Sequence, residues 1–130
     1  MFELHPRLKQ DLLPIKKMEI STAYLLPDSD NPWVVLVPEV VDVKELHELT
    51  REQQALLMEE INHVSHVLKD LFKPDKLNIG ALGNMVPQLH IHIICRFEDD
   101  RAWPNAIWGT PVGEDEAKIA EYKAKIKVRL

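Results

Sequence analysis

The chain has 130 residues, 45% of them apolar, with a formal charge of −5 and a pI near 5.6. That suits one compact domain, residues 1–130, and excludes global disorder. It also excludes a general nucleic-acid binder, which needs a broad basic footprint, while leaving room for a local anion site built from backbone N–H groups. The single cysteine, Cys95, excludes an intrachain disulfide and a cysteine-rich zinc site and fits a reducing, cytoplasmic setting. No apolar run reaches membrane-spanning length and residues 1–11 lack a signal-peptide core, so no membrane partner is expected.

The segment His5 to Asp11 reads as a short helix, with Pro6 tolerated in its first turn and Pro14 preventing extension. Ser21 to Leu26 reads as a strand. The turn formers Pro27-Asp28-Ser29-Asp30-Asn31-Pro32 then lead into Trp33 to Val37, a short buried strand, which makes the pair a hairpin. Val43 to Glu48 is read as one or two helical turns. A long helix follows. Thr50 and Gln53 form a capping box, Leu57, Ile61, Val64, Leu68 and Leu71 recur at helical spacing, and Pro74 closes the segment. Lys76 to Leu82 reads as a third strand. Gly80 and Gly83 bracket a turn toward Asn84, and Leu89 to Arg96 is the fourth strand. Residues 114–128 form a last helix. Acidic residues at its start and lysines at its end complement the helix dipole, and Ile119, Tyr122 and Ile126 give it an apolar face. Hairpins with segregated helices predict an α+β domain with an antiparallel sheet.

The segment Gln88-Leu89-His90-Ile91-His92-Ile93-Ile94 carries the chemistry. On a strand, Gln88, His90 and His92 share one face, and Leu89, Ile91 and Ile93 share the other. Burying the aliphatic face locks the register, since a one-residue slip would bury the histidines instead. An imidazole is largely neutral at pH 7 and can attack phosphorus to give a phosphoramidate, and a second one can assist the leaving group. A polar sheet face or a metal site would also place histidines at this spacing. A metal would want a third ligand, and no Glu, Asp or Cys shares the face.

This segment resembles the signature of the histidine triad superfamily, His-φ-His-φ-His-φ-φ with φ apolar. It departs only at the first position, where Gln88 replaces His. The approach Asn78-x-Gly80…Gly83-Asn84-x-Val86 is similar to the family's Asn-x-Gly…Gly-Gln-x-Val, and Trp33 to Pro38 resembles the family strand that ends in Val-Ile-Pro. The resemblance covers roughly residues 20–110. It implies nucleotide hydrolases and nucleotidyl transferases acting at an α-phosphate, as in diadenosine tetraphosphate. In that reading His90 is the nucleophile, His92 contacts the phosphate and helps the leaving group, and Gln88 takes the first triad position. Asn78 sits at the phosphate, with backbone N–H groups of Gly83 and Asn84. An acid of the first hairpin, Asp28 or else Asp30, holds the ribose. No cofactor or metal is required, though a divalent cation can accompany the substrate. The implied partners are a nucleotide and a second copy, in a homodimer that pairs sheets and long helices.

Two departures bear on chemistry. Gln88 cannot titrate, and Met85 stands where many relatives carry a Ser or Thr hydroxyl near the leaving group, which favours a phosphoanhydride over a phosphoramidate as substrate. A non-catalytic nucleotide sensor and a histidine-based metal binder are the rival functions. Trp103 and Trp108 could close over the site, form a dimer contact or fill the core. His5, His47, His63 and His66 read as surface or capping residues, and Cys95 as a buried inert thiol.

Overall fold

The computed structural model describes residues 1–130. In chain order the elements are α1 (Pro6–Asp11), β1 (Leu13–Lys17), β2 (Ser21–Leu25), β3 (Trp33–Pro38), α2 (Arg51–Phe72), β4 (Lys76–Gly80), β5 (Ile91–Arg96) and α3 (Glu116–Arg129). The Val43–Glu48 region contributes a single 3-10 turn, Leu46–Glu48. All strand pairs are antiparallel, in the order β1-β2-β3-β5-β4. The α+β class and the helices agree with the sequence reading, but the sheet has one more strand than the four expected. The extra strand is β1. Its Pro14 masks it in the sequence, because proline donates no ladder hydrogen bond. The strand lies at the sheet edge and shifts register between Pro14 and Lys16, where that loss is tolerated.

The capping box forms as predicted. The Thr50 side chain accepts from the Gln53 N–H, and Gln53 returns a bond to the Thr50 N–H. At the other end Lys73 adopts a left-handed conformation (φ 51°) and Pro74 prevents further helix.

The sheet is covered on both faces, by different means. On one face, Ala23, Leu25, Val34, Leu36, Ile91 and Ile93 meet the stripe Leu57, Ile61, Val64 and Leu68 of α2 and Ile119 and Ile126 of α3. Each fully buried leucine there is worth about 1.5–3 kcal/mol. Glu60 interrupts the stripe, but its carboxylate accepts the backbone N–H groups of Ile20 and Ser21 and so ties α2 to the β1–β2 turn. On the other face, Trp33, Val35, Val37 and Ile94 meet Leu8 and Leu12 around α1, together with Val86 and Ile107 from irregular segments. No helix is long and apolar enough to cross a membrane.

Candidate active site

The strand β5 places its side chains as the alternation requires. Ile91 and Ile93 enter the core under α2, and His92 takes the opposite face beside Trp33 and Ile94. Cys95 also points to the α2 face, where burial pushes its thiol up to about 12, so it is inert at neutral pH. His90 lies just before the regular strand, yet its ring centroid is 5.0 Å from that of His92, on the same side. Both residues are 7% exposed and line a cavity of about 160 Å³. Val35 of β3, Leu26, and Arg7, Leu12 and Asp11 from the N-terminal segment line it as well.

Each imidazole is held by one hydrogen bond that settles its tautomer. His90 Nδ1 lies 2.7 Å from the carbonyl oxygen of Gln88. A carbonyl only accepts, so Nδ1 carries the proton and Nε2 keeps its lone pair. His92 Nδ1 lies 2.9 Å from Trp33 Nε1. An indole N–H only donates, so this Nδ1 is bare and the proton of neutral His92 sits on Nε2. Neither Nε2 is tied to another protein group. The buried polar atoms that lack a partner are Ser21 Oγ, Asn31 Oδ1 and Trp108 Nε1 alone, so both imidazole tips retain access to the cavity. Burial first, and the neighbouring His90 second, pull His92 down to about 4, so it is neutral at pH 7.

The Trp108 ring stands at 88° to His92 with centroids 5.6 Å apart, and it also meets Trp33. Its ring thus packs both beside His92 and against the apolar cluster of that face. Its place depends on Gly80, which pairs with His92 across the ladder, since a Cβ there would come within 3.3 Å of the Trp108 ring. Trp103 instead lies under the Arg96 guanidinium, 5.7 Å from its ring centre. Arg96 and Asp100 are paired at 2.8 Å and nearly inaccessible. Burial would raise the Asp100 carboxyl, but hydrogen bonds from Arg96, from the Phe97 and Ala102 N–H groups and from Asn31 outweigh it and hold the group well below the usual range.

The other expected site residues are distributed as follows. Asn78 shares the ladder face of Ile94, two residues from Gly80, and its Oδ1 accepts from Arg96 at 2.7 Å. That bond orients the amide and leaves Nδ2 as a donor. Gly83 (φ 67°) and Asn84 belong to the irregular segment between β4 and β5, beside exposed Met85 at the cavity rim. The side chain of Gln88 does not join the two histidines. Residue 88 precedes the regular strand, and its amide turns to the N-terminal segment, accepting from the His5 N–H at 2.9 Å and donating to the Glu3 carbonyl at 2.8 Å. Asp28 does not line the cavity either. It is buried and held by Arg101 at 2.8 and 3.1 Å and by the Gly113 N–H, so it ties the first hairpin to the segment that carries Trp108. Asp30 shares the same arginine. At the end of β2 the cavity is lined by Leu26, not by an acid. No three His, Cys, Asp or Glu side chains are grouped to hold a metal ion.

Sequence reasoning missed Trp33, Arg7 and Asp11. Trp33 had a usable signal, a polar-tipped aromatic opening an otherwise aliphatic buried run. Nothing local marks Arg7 and Asp11, because only the docking of α1 brings them to the cavity.

Residues 10–99 match the family model of the HIT domain. A search of curated proteins finds no match. Among solved structures, a histidine triad protein from Marinobacter aquaeolei VT8 is 43% identical, with 100% of this chain and 96% of that one covered and a TM-score of 0.94. One from Bradyrhizobium japonicum is 42% identical, with 98% and 97% covered and a TM-score of 0.93. A hypothetical histidine triad nucleotide-binding protein from Sulfolobus tokodaii shares the fold, at 18% identity, 95% and 86% coverage and a TM-score of 0.69. With the family model spanning most of the chain and close relatives aligned along nearly all of it, this protein belongs to the histidine triad family.

Proposed function

We propose that the protein is a nucleotide hydrolase or nucleotidyl transferase acting at an α-phosphate through a nucleotidyl-histidine. The observation that carries this reading is the pair of opposite tautomers on one cavity wall, a bare Nε2 on His90 beside an Nε2–H on His92. His90 Nε2 forms a bond to phosphorus while the bond from phosphorus to the leaving oxygen breaks, and the electron pair departs with that oxygen. The His90 ring becomes cationic, and the Gln88 carbonyl already faces its Nδ1–H. Water then forms a bond to phosphorus while the bond from phosphorus to His90 Nε2 breaks; its proton goes to solvent and the electron pair returns to Nε2, which restores neutral His90. If another nucleophile replaces water, the same intermediate gives transfer.

His92 supports the first step as a hydrogen-bond donor. With Nδ1 occupied by the Trp33 N–H, losing the Nε2 proton would leave an imidazolate, so His92 stabilises charge without giving up its proton. The leaving group must therefore be stable as an anion, which a phosphate is and an amine is not. That favours a phosphoanhydride, such as a dinucleoside polyphosphate, over a phosphoramidate, as the exposed Met85 at the rim also does. Asn78 Nδ2 and the backbone near Gly83 and Asn84 would hold the phosphate. A homodimer would join copies through the unpaired edge of β4, beside which Ile79 and Leu82 are half exposed.

Labelled diadenosine tetraphosphate should leave an acid-labile, alkali-stable adduct on the wild-type protein and none on His90→Ala. The variant should turn over at least about a thousandfold more slowly. Equal turnover by His90→Ala would remove the mechanism. Tight AMP binding without any adduct or product would instead identify a nucleotide sensor.

A further inference from the structure

The cavity beside His90 and His92 has two charged residues in its lining besides the histidines, Arg7 and Asp11, both on α1. Their pairing is odd as a helix-stabilising device. Arg7 stands in the first turn and Asp11 in the last, so each charge opposes the dipole end nearest to it. The pair also uses only part of the guanidinium. Arg7 Nε donates to Asp11 at 3.0 Å, and no protein group takes the two terminal nitrogens. The side chain is half exposed, so its outer edge is open to solvent at the cavity mouth. A guanidinium presented in this way suits a phosphate, which it can grip with two parallel N–H bonds.

The helix is not loosely placed. The Gln88 side chain clamps the backbone of residues 3–5 immediately before α1, while the Gln88 carbonyl orients the nucleophile. One residue thus fixes the start of α1 relative to the His90 ring. Arg7 also precedes residue 10, where the match to the family model begins, so that match assigns it no role.

Resting on the function proposed above, we infer that Arg7 is a substrate-binding residue for phosphate charge beyond the phosphorus under attack, so that the site selects nucleotides with a phosphate leaving chain. Asp11 sets the orientation of the fork and at the same time repels the chain, which limits affinity.

Calorimetry with adenosine, AMP and ADP, the last as its non-hydrolysable α,β-methylene analogue, tests this on wild type, Arg7→Gln and Asp11→Asn. Wild type should prefer ADP to AMP. Arg7→Gln should remove about tenfold of ADP affinity, the size of one charge-assisted contact, with adenosine unchanged. Asparagine still accepts the Arg7 Nε–H but carries no charge, so Asp11→Asn should strengthen ADP binding, and Arg7→Lys should recover part of what Arg7→Gln loses. A pair that merely braced α1 would make Arg7→Gln and Asp11→Asn shift affinity in the same direction, and that result overturns the inference. So does an ADP-to-AMP preference that survives Arg7→Gln, although the nucleotide reading would then stand. If the wild-type protein binds none of the three, the nucleotide reading fails and this inference goes with it.

Discussion

The two faces of the sheet are closed in contrasting ways. One lies under α2 and α3, 22 and 14 residues long, whose apolar stripes fill a core of aliphatic side chains. The other lies under a six-residue helix and two irregular segments, and it holds the histidines, Trp33 and the cavity. Long helices bury continuous stripes and leave no gap, whereas short elements cover a sheet incompletely. The gap they leave is where polar tips can meet a ligand. The division gives His90 and His92 a rigid floor from one face and an open cavity on the other, as a site needs when its reacting groups must stay within fractions of an ångström.

That contrast can be broken by mutation. The largest expected effect is on the helical face: Leu68→Ala, at a fully buried position, should cost about 2–5 kcal/mol of stability in denaturant titration. The same variant should keep its turnover per folded molecule, because Leu68 touches only the far side of the sheet. Lost turnover with intact stability would show that the two faces are not separable.

The second effect lies on the site face and depends on pH. His92 is lowered from 6.5 to about 4 by its burial and by His90. An unfolded chain therefore takes up a proton at this residue between those values while the folded chain does not. The stability that neutral His92 permits is complete above about pH 6.5 and is lost as pH falls toward 4. The loss is at most about 1.4 kcal/mol per pH unit. Unfolding curves at pH 7 and pH 5 for wild type and His92→Asn should show a gap that shrinks in acid, and a constant gap would mean that His92 already shares its proton with the folded state. In turnover, any acid limb above about pH 5 should belong to a group other than His92.

The smallest effect sharpens the comparison within the site face. Trp33→Phe keeps an aromatic ring against His92 but removes its N–H, so both tautomers of His92 become available. The rate constant for adduct formation should fall about tenfold, with AMP affinity little changed. A matching loss of affinity would mean that Trp33 shapes the cavity without setting the proton position.

Much of this was legible along the chain. The Leu57–Leu68 stripe, the Thr50 cap and the alternation around His92 are local patterns with a fixed period, and each led to the correct element and the correct face. The helical ends and the turn at 27–32 were readable because caps and turns need particular side chains. The edge strand β1 was not, because Pro14 speaks against a strand unless its place at the edge is already known.

The roles of the polar residues were decided elsewhere. Asp28 meets Arg101 across 73 positions, Trp33 meets His92 across 59 and Gln88 meets His5 across 83, and no local period encodes such partners. The sequence by itself determined which strand face carries the imidazoles, since burying the aliphatic residues leaves no other register. The tertiary structure alone decided which nitrogen of His92 holds the proton, because the Trp33 N–H that occupies its Nδ1 is delivered from a neighbouring strand 59 positions away, whereas His90 takes its acceptor from Gln88 only two residues back.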